Sequence, residues 1–118
     1  MRTHKDLNVW KKAIEFVSVI YSVTNKFPDT ERYGLTNQIR RASVSIPSNI
    51  AEGSARNHNK EFIQFLYISL SSAAEVDTQI RISLNLGFLS KAEAELTLDE
   101  LESISKMLQG LIKSIKNK

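Results

Sequence analysis

A chain of 118 residues with 42% hydrophobic and 25% charged side chains has the length of one domain, residues 1–118, and the composition of ordinary globular material. Four glycines and two prolines are too few for the turns of an all-β fold, and the absence of cysteine excludes disulfides and thiolate metal sites. A formal charge of +3 is mildly basic, which suits either a solvated surface or a polyanionic partner.

The N-terminal "MRTHKDLNVW" carries charges where a secretory leader needs an apolar run. No segment reaches the roughly eighteen unbroken apolar residues of a membrane helix. The expectation is a cytoplasmic protein with no membrane partner. A core of this size is small, so a partner subunit would help it. Charge is unevenly spread. Residues 2–12 carry Arg2, Lys5, Lys11 and Lys12 against Asp6, and residues 106–118 carry four lysines and no acid. Residues 32–60 carry Arg32, Arg40, Arg41, Arg56 and Lys60 against Glu52, whereas residues 91–102 hold five acids and one lysine.

The first helix is expected at about 6–26. It shows two apolar seams at heptad spacing: Leu7, Trp10, Ile14, Val17, Tyr21 and Thr24, and Val9, Ala13, Phe16, Ile20, Val23 and Phe27. Together they span an arc of about 160° at about 100° per residue. One core needs less, so this helix either serves its own bundle and a neighbouring subunit or lies deep in a monomer. Val9, Phe16, Ile20 and Val23 are the candidates for subunit contact. Phe27-Pro28-Asp29 stops the helix, because Pro28 disfavours helical geometry at Phe27. Asp29 or Thr30 can cap the next segment, with a break at Tyr33-Gly34.

The second helix is expected at about 30–55, with Leu35, Ile39, Ala42, Ile46 and Ile50 in steps of four and three. Pro47 removes the N–H that the Ser43 carbonyl would accept, at about 3 kcal/mol in a helix interior. Ile50 and Gly53 nevertheless keep the phase of Ile39 and Ile46, which a loop has no reason to do. The reading is a helix that bends at Pro47 and continues. Ser43, Ser45 and Ser48 are hydroxyls near the freed backbone groups. Gly53 either ends the last turn or marks a close approach.

The third helix is expected at about 59–86, with Asn57 or Asn59 as its cap. Residues 62–74 carry no charge, and Ser69, Ser71, Ser72, Ala73 and Ala74 would admit another backbone. Ser69 and Ala73 join the subunit-contact candidates. Gly87 fits the left-handed position after the helix, and Ser90 with Glu93 forms a capping box. The fourth helix, about 90–115, runs Ala94, Leu98, Leu101, Ile104, Leu108, Leu111 and Ile115. Acids fill its start and lysines its end, as the helix dipole prefers. Gly110 is a weak spot or a close contact. Four helices with short links give an all-α, antiparallel up-down-up-down four-helix bundle, with the second helix bent at Pro47.

Catalytic signals are missing. The two histidines, His4 and His58, do not follow a glutamate at the Glu-x-x-His spacing of bundle metal sites, so neither metal nor cofactor is expected. Ser45 and Ser48 have no His or Lys placed to activate them, and Gly53 stands alone where a phosphate loop needs company. Arg56 precedes His58 by two residues, too close for the arrangement of small helical-bundle ribonucleases. The acids of the fourth helix read as a solvated face. Without an acid–base pair no enzyme is expected. Arg40, Arg41, Arg56 and Lys60 remain as candidates for neutralising phosphates without reading bases.

"DLNVWKKAIEF", "YGLTNQIRRASVSIPSNIAEGSAR", "KEFIQFLYISLSSAAEVDTQI" and "LGFLSKAEAE" resemble the four-helix-bundle proteins encoded in intervening sequences of bacterial 23S rRNA genes. The resemblance covers residues 6 to about 113, and "QIRRASVSIPSNIAEGSAR" is its most specific part. It implies an antiparallel bundle that assembles as a homopentamer. It also implies a distant relation to the accessory variability proteins of diversity-generating retroelements, which bind nucleic acid and a reverse transcriptase. The family supplies no agreed activity and no catalytic residues. Arg40, Arg41, Pro47, Asn49, Glu52 and Gly53 fall on its motif, and Glu52 is spaced to pair with Arg56. The expected partners are therefore further copies of the chain, RNA or DNA, and, as the alternative, a protein for which the bundle is a scaffold.

Overall fold

The structure, a computed structural model, describes residues 3–118; Arg2 of the N-terminal basic segment lies outside them. Four helices follow one another: α1 (Asn8–Thr24), α2 (Leu35–Ser54), α3 (Asn59–Asn85) and α4 (Lys91–Lys116). Short 3-10 turns occupy His4–Asp6 and Asp29–Glu31, and no strand occurs among the described residues. Links this short reverse the chain each time, giving the up-down-up-down bundle. α1 packs on α2 and α4, α3 packs on the same two, and the diagonal pairs do not meet. The bundle measures 46 × 24 × 19 Å.

One seam of α1 is core, and the other is fully buried only at Thr24 and half-buried at Leu7, Trp10 and Val17. Val9, Ala13, Phe16, Ile20 and Phe27 are buried, whereas Ile14 and Tyr21 are each 44% exposed. This corrects the subunit-contact assignment. Val9, Phe16, Ile20, Ser69 and Ala73 are enclosed within a single chain, and only Val23 keeps partial exposure. Their surface is used up by Ile39, Ile46, Ile50, Leu66, Ile80, Ile104 and Leu108, all fully buried with them. Each such side chain contributes about 1.5–3 kcal/mol by leaving water.

α2 runs unbroken through Pro47. The hydroxyls around it serve the backbone. Ser48 donates to the Val44 carbonyl at 2.8 Å and Ser43 to the Arg40 carbonyl at 2.8 Å. Asn49 donates to both the carbonyl and the hydroxyl of Ser45, at 2.8 and 2.9 Å. From across the seam Ser69 donates to the Ile46 carbonyl at 2.9 Å, and Ser72 to Ser45 Oγ at 2.9 Å. The small residues of α3 thus admit α2 of the same chain. Gly53 completes that contact: a Cβ there would stand 2.7 Å from Phe65 Cβ and 2.9 Å from Phe62 Cδ1. Only a residue without a side chain lets the two backbones come so near.

Two boundaries differ from expectation. His58 occupies the N-cap of α3 with no capping side chain, so neither Asn57 nor Asn59 caps it. Neither Asp29 nor Thr30 caps by its side chain; Glu31 Oε1 instead accepts from the Leu35 N–H at 3.2 Å, at the start of α2. The other helix ends follow the sequence. Gly87, at φ 80°, closes α3 with Phe88 N–H to Ser83 carbonyl at 2.9 Å and Gly87 N–H to Leu84 carbonyl at 3.0 Å. Ser90 and Glu93 make the reciprocal capping box of α4. A Cβ at Gly110 would have no neighbour within 4 Å, so this glycine is a weak spot rather than a contact.

Candidate nucleic-acid interface

Antiparallel topology decides where the charges go. The start of α1, the turn between α2 and α3, and the end of α4 all lie at one end of the bundle. Residues 3–12, 52–61 and 106–118 meet there, with nine lysines and arginines against Asp6, Glu52 and Glu61. The opposite end gathers residues 24–34 and 75–102, with nine acids against Lys26, Arg32, Arg81 and Lys91. Segments far apart in sequence therefore form one basic pole and one acidic pole along a 46 Å molecule. Screening acts over about 8 Å at physiological salt, so the acidic pole does not cancel the basic one. Among the described residues, the cations of the basic pole make two ion pairs, Arg56–Glu52 at 3.1 Å and Lys106 with Glu102 of the acidic stretch at 3.4 Å. Lys5, Lys11, Lys12, Lys60, Lys113, Lys116 and Lys118 are exposed.

The four candidate arginines and lysines do not form one patch. Arg41 precedes Ser54, the end of α2, by thirteen residues, about 20 Å at 1.5 Å per residue. Arg40 is engaged with α1: its Nε donates to Thr24 Oγ1 at 2.9 Å and its guanidinium lies 4.5 Å from the Tyr21 ring centroid. Arg56 pairs with Glu52, as their spacing implies, and covers the Phe65 ring at 4.8 Å. Arg41 and Lys60 are exposed, and neither side chain makes a hydrogen bond or ion pair among the described residues. Arg41 borders a polar cleft between α2 and α3, with Ser45, Ser72, Glu75 and Gln79.

A second feature of the basic pole has no signal in the sequence alone. α3 and α4 leave a groove of about 390 Å³ lined by Tyr67, Leu70, Gln109, Ile112, Lys113, Lys116 and Asn117. The period of α3 places Tyr67 beside its apolar positions, but only the pairing of the two helices brings Lys113 and Lys116 opposite it. Adjoining it at Leu70 and Gln109, toward the acidic pole, is a space of about 800 Å³ bordered by Asp77, Arg81, Glu95, Asp99 and Glu102. The acidic pole also carries Glu93, whose pKa falls from 4.5 to about 2 because Lys26 pairs with it and the Ser90 N–H donates to it. Among the described residues no three acids or histidines stand together as a metal site, and no helix is long and apolar enough to cross a membrane. Ser45 Oγ accepts from Asn49 and Ser72, both structural partners of the α2–α3 seam.

The chain is similar to known proteins over most of its length. A crystal structure of a protein of unknown function from the S23 ribosomal protein family, from Bacteroides thetaiotaomicron, superposes with a TM-score of 0.80 at 25% sequence identity, covering 89% of this chain and 98% of that one. No curated protein matches the sequence. The family described as 23S rRNA-intervening sequence protein matches residues 5–110. With that match spanning nearly all of the bundle, the chain belongs to the 23S rRNA-intervening sequence protein family.

Proposed function

We propose that this protein is a non-enzymatic, oligomeric helical-bundle module of the cytoplasm that binds RNA or other nucleic acid through its basic pole. The single observation that supports this most is the convergence of three basic segments at one end of the bundle. Exposed lysines in excess over the acids around them attract phosphates at long range and release counterions on contact. Repetition in a ring, which the family resemblance implies to be fivefold, multiplies that field. Exposed apolar side chains support association: Ile14, Tyr21 and Val44 are 40–44% exposed around the α1–α2 groove, and Ile68 and Ile82 of α3 are 46% and 43% exposed. Fluorescence anisotropy with folded RNA across a salt series tests the binding. The expected affinity falls steeply as salt rises, and Lys60→Glu with Lys113→Glu flattens the slope. No binding at low salt overturns the proposal, and a salt-independent signal shows that phosphates are not the target. Sedimentation tests the assembly, which a clean monomer overturns.

A second reading is a scaffold for a basic protein such as a reverse transcriptase. The acidic space between α3 and α4 favours it, because Glu95, Asp99 and Glu102 border it and its Arg81 is paired with Asp77. A pull-down that still recovers a basic partner after nuclease treatment supports this reading over the first.

A further inference from the structure

We propose that the α3–α4 groove at the basic pole is a stacking site for an unpaired base of single-stranded nucleic acid. Tyr67 is the platform, and Lys113 and Lys116 hold the flanking phosphates. This deepens the nucleic-acid reading and rests on it. Tyr67 is 47% exposed and borders a groove lined also by Leu70 and the buried Ile112. Phosphate binding alone has no use for an apolar lining and an aromatic wall. A base does, since every base has a face that stacks on an aromatic ring.

The position of Lys116 matters. Its Nζ is 3.1 Å from Tyr67 Oη and 5.4 Å from the ring centroid. Those two distances put the ammonium off the hydroxyl end of the ring, not above its face. The cation therefore fixes the ring by its oxygen and leaves the stacking surface uncovered. Lys113 lies about one turn earlier on the same face of α4. Gln109 and Asn117 bring amide groups, each able to donate and to accept, to the same groove.

The groove also limits what it takes. Leu70 and Gln109 border both the basic and the acidic stretch, so the two spaces adjoin there and the sign of the lining charge changes across them. Glu102 precedes Lys113 by eleven residues, about 16 Å along α4. A strand that continues past Gln109 meets Glu102, Asp99 and Glu95, while the cation lining that stretch, Arg81, is already paired with Asp77 at 2.7 Å, so the strand is repelled. Only a short run of strand sits in the basic half before it must leave. A duplex hides its base faces in its own stack and gains nothing from Tyr67.

The test is fluorescence anisotropy of the full chain at one low salt concentration. Three probes of equal length are compared: an unstructured oligonucleotide, its abasic counterpart and a duplex. The expected result is an unstructured oligonucleotide that binds at least about tenfold tighter than the abasic strand, the effect of one stacked base. In Tyr67→Ala the unstructured oligonucleotide binds no tighter than the abasic strand measured with the same variant, while Tyr67→Phe keeps the ratio. Tyr67 is exposed, so these variants keep the core, and circular dichroism confirms it. Equal binding of base-bearing and abasic strands, or Tyr67→Ala without effect, overturns the stacking site and leaves the basic pole as a phosphate surface. Absence of binding by all three probes overturns both readings.

Discussion

Arg40 of α2 donates from Nε to Thr24 Oγ1 of α1 at 2.9 Å, while Thr24 Oγ1 itself donates to the Ile20 carbonyl at 2.7 Å. A second guanidinium nitrogen reaches the Tyr21 carbonyl at 3.4 Å. The cation thus sits at the C-terminal turn of α1, where the helix dipole is negative, and shares the Tyr21 carbonyl with the Asn25 N–H. Thr24 is 2% exposed, so its hydroxyl has no water to replace a lost partner. Arg40→Ala is expected to lower stability by about 1–3 kcal/mol. Arg40→Lys is expected to recover part of that, since it keeps the charge and loses the planar fork. Urea unfolding measures both. Nucleic-acid affinity and its salt slope are expected to stay unchanged, which separates Arg40 from the exposed lysines of the basic pole.

Three glycines make three different predictions from one substitution. Gly53→Ala drives a methyl against Phe65 Cβ, an atom that moves only with the α3 backbone. It is expected to cost about 1–3 kcal/mol by overpacking. Gly87→Ala meets no neighbour, but its φ of 80° is left-handed, and the expected cost is about 1–2 kcal/mol. Gly110→Ala lies in an open stretch of α4 and is expected to stabilise by about 0.5–1 kcal/mol, through helix propensity alone. Thermal or urea denaturation of the three variants checks signs and order together.

Glu93 makes stability depend on acid pH. Its folded pKa is about 2, below the ordinary 4.5, so the folded state favours the carboxylate. The stabilisation is full above pH 4.5 and is lost as pH falls from there toward 2. Lys26 is the larger cause, and the pair is exposed, so salt is expected to weaken the effect. Glu93→Gln keeps a capping side chain and removes the charge. The difference in urea midpoint between the native chain and this variant is expected to shrink between about pH 5 and about pH 2.5. A constant difference across that range contradicts the assignment.

Ser69 links α3 to the backbone beside Pro47 through its 2.9 Å hydrogen bond to the Ile46 carbonyl, inside a fully buried seam. Ser69→Ala removes the donor with little change in volume and is expected to cost about 1 kcal/mol. Ser69→Val places a larger branched side chain in the same seam and is expected to cost about 1–3 kcal/mol. Circular dichroism is expected to show an intact helix content in Ser69→Ala, with the loss visible only in the unfolding midpoint.

The continuity of α2 through Pro47 is legible in the sequence because Ile46, Ile50 and Gly53 keep one helical phase. The capping box of Ser90 and Glu93 and the left-handed turn at Gly87 are legible for the same reason. Each is a relation among residues a few positions apart, and local geometry settles it. The role of Arg40 is not legible. Beside Arg41 it looks like half of a basic pair, yet a neighbouring helix end claims one and leaves the other free. Tyr67 gives no signal either, because its exposure depends on how α4 lies against α3.

The amino-acid order determined by itself that this chain makes four amphipathic helices, where each stops, and that one end of α4 is acidic and the other basic. Only tertiary packing decided which of the two equal seams of α1 is interior, and which distant lysines share a pole. The periodicity of a helix is written in its own residues. The choice between two equally apolar faces depends on the shape of the surface that meets them, which lies elsewhere in the chain.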